Sequence, residues 1–63
     1  MPPITLTFQF ETETKGAVRY IELDHHGAPI KRTTEAIVGR LYLRKTTFQG
    51  NWPAALRVTI ELV

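Results

Sequence analysis

Ile4-Thr-Leu-Thr-Phe-Gln-Phe-Glu11 alternates apolar and polar residues without exception. Side chains of an extended chain point to opposite faces in turn, so this spacing places Ile4, Leu6, Phe8 and Phe10 on one side of a strand. Thr5, Thr7, Gln9 and Glu11 fall on the other, solvated side. Thr and Phe both favour a pleated backbone. Pro2 and Pro3 have no amide hydrogen for a ladder, so pairing is expected to begin after them.

The same period recurs twice. Ile37-Val-Gly-Arg-Leu-Tyr-Leu-Arg44 puts Ile37, Gly39, Leu41 and Leu43 on one face and Val38, Arg40, Tyr42 and Arg44 on the other. The last strand, from Ala54 or Ala55 to Leu62, turns Leu56, Val58, Ile60 and Leu62 inward and Arg57, Thr59 and Glu61 outward. Between the first two of these segments lies Ala17-Val-Arg-Tyr-Ile-Glu-Leu23, rich in β-formers and preceded by a turn at Thr12–Gly16. It makes a hairpin with the first strand. A four-residue loop would set Phe10 against Val18 and Phe8 against Tyr20, leaving Arg19 and Ile21 on the far side, whereas a slip of one residue reverses every side chain.

Asp24-His-His-Gly27 reads as a turn, and the stretch from there to Ala36 has no clean period. Pro29 disfavours helix at Ala28. Thr33 or Thr34 can cap a single turn at most, and Thr46-Thr-Phe-Gln-Gly50 suits one helical turn stopped by glycine. The expected fold is therefore mainly β: a small antiparallel four-stranded sheet or half-open barrel, one domain over residues 1–63.

Burying each large apolar side chain is worth roughly 1.5–3 kcal/mol, so the apolar face demands a cover. No stretch of helical period is long enough to supply one. Phe48 and Trp52, in the connection before the last strand, can lie over part of the face; they are either core or an anchor for a partner protein. The remainder calls for closure into a half-barrel or for a second copy packed face to face, and the shortness of the chain favours a homodimer.

Composition narrows function by exclusion. The 63 residues contain no cysteine and no serine, which removes disulfides and the commonest nucleophiles, and no catalytic residue is assigned. Two histidines in one turn, beside Asp24, fall short of the four ligands zinc prefers, and adjacent rings tend to point apart, so no metal or other cofactor is expected. Little room for a pocket of about 300 Å³ is anticipated in so small a chain. There is no basic leader ahead of an apolar run and no stretch of about 20 apolar residues, so a cytoplasmic protein that does not enter a membrane is expected.

Eight Lys and Arg against six Asp and Glu leave a net charge of +2, too little to decide anything unless it is clustered. Arg40, Tyr42 and Arg44 alternate along one strand, Arg57 shares that kind of face on the last strand, and Lys45 follows directly. Lys15 and Arg19, with Tyr20, lie near the first hairpin. Guanidinium forks match phosphate oxygens and aromatic rings offer stacking platforms for bases, so this set is the candidate DNA- or RNA-binding surface. The commoner arrangement is an ordinary solvated face, on which Arg40 and Arg57 pair with Glu11, Glu22 or Glu61. The rival function is a protein-interaction or self-assembly module acting through sheet edges and the Phe48–Trp52 loop.

Thr14-Lys15 ahead of Val18-Arg19-Tyr20, Val38-Gly-Arg-Leu-Tyr-Leu-Arg-Lys45, and Pro53 ahead of Arg57-Val-Thr-Ile60 together resemble a pattern found in short β-rich bacterial and phage proteins of uncharacterised function. The resemblance spans about half of the chain and implies no activity or site. In size and charge alone the chain is also similar to small basic β-sheet chromatin proteins of archaea, from whose pattern it departs.

Overall fold

A computed structural model describes residues 2–63. Strands β1 (Ile4–Glu13), β2 (Ala17–Glu22), β3 (Arg40–Arg44) and β4 (Ala55–Ile60) form one antiparallel sheet in the order β3-β2-β1-β4, curled into a half-barrel. Two 3-10 turns, Thr33–Glu35 and Lys45–Phe48, are the only helical elements among the described residues. None is long and apolar enough to cross a membrane.

The alternation in β1 does what its period requires. Leu6 and Phe8 are buried on the inner face with Val18 and Tyr20 of β2, and Ile4, Phe10, Leu41, Leu43, Leu56, Val58 and Ile60 pack around them. Phe48 and Trp52 lie against this cluster, with the Phe48 ring 6.2 Å from that of Tyr20. The Tyr20 hydroxyl donates to the Pro53 carbonyl at 2.8 Å, so the only polar atom of that side chain is satisfied while its ring is fully buried. This bond ties the connection before β4 to the centre of the sheet.

Of the two parities open to the first hairpin, the structure has that of the four-residue loop, with a different register. Phe10 faces Tyr20 and Phe8 faces Glu22, two residues away from the pairing a four-residue loop would give. A bulge absorbs the difference: Glu11 and Thr12 together oppose Arg19, and Glu13 opposes Val18. The extra residue lets β1 run on to Glu13, and the turn closes with the Thr14 amide donating to the Ala17 carbonyl.

Two members of the expected apolar face lie elsewhere. Ile37 is 60% exposed and Leu62 is 70% exposed, because β3 begins only at Arg40 and β4 ends at Ile60. At the start of β3 the cause is local. Gly39 has φ +89°, a backbone conformation that L side chains rarely adopt, and it turns the chain out of the strand. The amides of Ile37, Val38 and Gly39 then point at the Glu22 carboxylate instead of extending the ladder.

Candidate nucleic-acid interface

Because β1 pairs with both β2 and β4, the outer face of the sheet can be read row by row. Tyr42, Arg19 and Thr12 share one row across β3, β2 and β1, and Arg40, Ile21, Gln9 and Ala55 share the next. Arg57 pairs with Thr7 one row further, and Arg44 pairs with Ala17 beyond Tyr42. Arg40, Tyr42 and Arg44 thus stand along one strand at intervals of about 7 Å.

Arg57 does not join them. The sequence pattern sets the polar faces of the last two strands together, but β3 and β4 form opposite edges of the sheet, with β2 and β1 between them. Three strand spacings put Arg57 about 14 Å across the face from β3. The fold gathers Arg19 with Arg40, Tyr42 and Arg44 and leaves Arg57 at the far edge.

Glu11 organises the centre of this group. Its carboxylate accepts from Arg19 Nε at 2.8 Å and from Arg40 Nε and Nη2 at 3.0 and 3.3 Å. The bond from Arg40, followed by the charges of the two guanidinium groups, holds the Glu11 carboxyl below the usual carboxylate range, against a partial opposing effect of desolvation. Arg19 Nη1 also lies 3.4 Å from the Tyr42 hydroxyl, the largest influence raising the Arg19 pKa further. Glu11 lies on the outer face by the same alternation as Gln9, on the side of Arg19, and the bulge sets Glu11 and Thr12 together opposite that arginine. Pairing of Arg40 with Glu11 is one of the arrangements open to a solvated face; the second arginine on the same carboxylate is not evident from the chain.

The other candidates divide. Arg44, Arg57 and Lys15 make no ion pair among the described residues. Lys45 is paired with Glu13 at 3.3 Å and sits 5.5 Å from the Trp52 ring centre, so it braces the loop that covers the core. Tyr42 is 56% exposed, whereas Tyr20 offers no platform because it is fully buried. Phe48 and Trp52 are half-buried against the core and leave only part of their rings to a partner. Over the strands, the outer face carries Arg19, Arg40, Arg44 and Arg57 against one carboxylate, Glu11, a balance of +3 in a chain whose net charge is +2.

Glu22 is the residue that pattern reading assigned to the wrong role. It is 2% exposed on the inner face and pairs with no arginine. Its carboxylate accepts from the Val38 amide at 2.7 Å, the Gly39 amide at 3.0 Å and the Ile37 amide at 3.1 Å. Burial pushes its pKa up, but the three amides outweigh burial and the group remains below the usual carboxylate range. The spacing carries part of the signal: Val18, Tyr20 and Glu22 share one parity, so the register that turns Tyr20 inward turns the glutamate inward with it.

The turn at Asp24 is held by its carboxylate, which accepts from the Ala28 and His26 amides. The rings of His25 and His26 do not diverge but lie 4.0 Å apart, centre to centre. No group of three or more potential metal ligands occurs among the described residues. Room for a small molecule is larger than chain length suggests: an open hollow of about 380 Å³ runs past Leu6, Thr7, Glu22, His25 and Ile37. The Glu22 carboxylate within it is already occupied by the three amides.

No family model, curated protein or solved structure matches this chain.

Proposed function

We propose that the outer face of the sheet binds nucleic acid, with Tyr42 as a stacking platform and Arg44, Arg57 and the Arg19–Arg40 pair as phosphate contacts. The observation that carries this reading is the segregation of charge: four arginines against one carboxylate on one face, three of them near an exposed tyrosine and the fourth, Arg57, at the far edge. Bases stack on aromatic rings regardless of sequence, and guanidinium groups take two phosphate oxygens at once. Glu11 cancels one of the two charges beside it and holds both guanidinium groups in place, so the centre of the face is preordered at reduced charge. Lys15, beside the hairpin turn, adds charge at the end of the face, while Lys45 is engaged with Glu13.

The test is fluorescence anisotropy of mixed DNA and RNA oligonucleotides at low salt, titrated with the parent and with an Arg44→Glu, Arg57→Glu double variant. Both positions are free of ion pairs, so the variant keeps its fold. The parent should bind with an affinity that falls as salt rises, at a logarithmic slope near −0.7 for each single-strand phosphate contacted. The variant should lose at least about tenfold in affinity and show a shallower slope. A variant that binds as well as the parent refutes the assignment of this face.

A further inference from the structure

We infer that β4 is a dimerisation strand: its free edge pairs antiparallel with β4 of a second copy, about a two-fold axis at Val58. This inference rests on the sheet's edges and surface and is independent of nucleic-acid binding.

The first support is surface area. A compact monomer of 7.2 kDa exposes about 4,100 Å², whereas this chain exposes 4843 Å², a surplus of about 700 Å². Its radius of gyration is 12.2 Å, against about 10.6 Å for a compact chain of this length. The extended chain ends contribute to the surplus, and so does the inner row Leu56, Val58 and Ile60, which is only partly buried. A standard interface buries about 800 Å² on each partner, close to that surplus.

The second support is the difference between the two edges. In β1 and β4 the Phe10 amide donates to the Ala54 carbonyl, which fixes the alternation. Leu56, Val58 and Ile60 exchange ladder bonds with β1, and the amides and carbonyls of Ala55, Arg57 and Thr59 point to the free edge. On β3, by the same reasoning from the bond of the Glu22 amide to the Gly39 carbonyl, the free groups belong to Arg40, Tyr42 and Arg44. That edge is five residues long, bounded by Gly39 and a 3-10 turn, and guarded by two arginines. It has the features of an edge protected against pairing. The β4 edge is six residues long, contains no proline and carries one charge.

The third support is self-complementarity. With Val58 opposite Val58, Leu56 faces Ile60 of the second copy and the apolar inner rows of two half-barrels become continuous. On the outer side Arg57 faces Thr59 of the second copy, with Glu61 of that copy on one diagonal, within reach of an opposite charge, and its Arg57 on the other. The alternative with Arg57 on the axis would set the two guanidinium groups directly opposite each other, which is unfavourable. A two-fold operation satisfies both chains with one patch, as a closed dimer requires.

The test is sedimentation velocity of the full chain without oligonucleotide, over a concentration series reaching ~1 mM. The parent should reach twice its 7.2 kDa mass. Thr59→Pro removes a free-edge amide without touching the β1 ladder and should sediment as a monomer. Thr59→Lys, an exposed outward position, sets the new lysine against Arg57 of the second copy and should weaken association at least tenfold. Adding Arg57→Glu to Thr59→Lys should restore it, by turning that repulsion into an opposite-charge pair. Circular dichroism of each variant confirms that its sheet is intact. A parent that stays monomeric throughout, or Thr59→Pro and Thr59→Lys variants that associate like the parent, overturns the inference.

Discussion

Replacing Glu22 should loosen the long connection between β2 and β3 more than any change on the outer face. One carboxylate there serves three consecutive amides. In Glu22→Ala the amides of Ile37 and Val38 can turn to water, since both residues are exposed, but Gly39 is buried. Stranding its amide costs about 1–3 kcal/mol, and losing charge-assisted bonds at the other two brings the total to about 2–4 kcal/mol. Against a net stability of about 5–15 kcal/mol, and toward the lower end for so short a chain, that is a severe loss. Urea unfolding followed by circular dichroism should show a midpoint lowered by roughly 2–4 M, given a slope near 1 kcal/mol/M for a small domain. Glu22→Gln keeps one carbonyl acceptor and should lose about half as much. The effect has a pH signature. The folded carboxyl lies below its ordinary value of 4.5, so the native state binds fewer protons than the unfolded chain. The contribution is complete above that value and is lost as pH falls through the folded pKa. Glu11 acts in the same direction, so the diagnostic quantity is the parent profile minus that of Glu22→Gln. If Glu22→Ala unfolds within about 0.5 kcal/mol of the parent, the carboxylate is not holding the loop and the reasoning fails.

Two further outcomes follow from the same geometry. Glu11→Gln removes the one carboxylate from the basic face; it should cost less than about 1 kcal/mol of stability, because the pairs are partly solvated, while oligonucleotide affinity rises and its salt dependence steepens. An unchanged affinity would mean that the Arg19–Arg40 pair is not part of the contact surface, and a weaker one that Glu11 acts chiefly by holding the two guanidinium groups in place. Gly39→Ala meets no atom within 4 Å of the added carbon, so its cost is that of the positive φ alone, about 1–2 kcal/mol, read as a lowered melting temperature. A melting temperature equal to the parent's would show that the backbone relaxes there at no cost.

Much of the architecture was legible because a strand's period is short and local. Four residues such as Ile4, Leu6, Phe8 and Phe10 name their own face, and the same holds for Leu41 with Leu43 and for Leu56, Val58 and Ile60. The role of Phe48 and Trp52 as cover followed from the lack of any other element to provide it. The candidate site was legible only in part. Arg40, Tyr42 and Arg44 share a face by parity alone, but their relation to Arg19 and Arg57 depends on which strands are neighbours. Glu22 reads as a partner for an arginine because a glutamate between β-formers resembles any solvated strand residue until the register of the hairpin is fixed.

Alternation along the chain determined by itself that this is a sheet with one apolar face, because side-chain direction in an extended backbone is set residue by residue. Strand order, the bulge at Glu11, the late start of β3 and the sharing of Glu11 by two arginines were decided only in three dimensions. Each of these depends on hydrogen bonds and charges between residues far apart in the chain, whose pairing is chosen by the closure of the whole sheet and leaves no local periodicity to read.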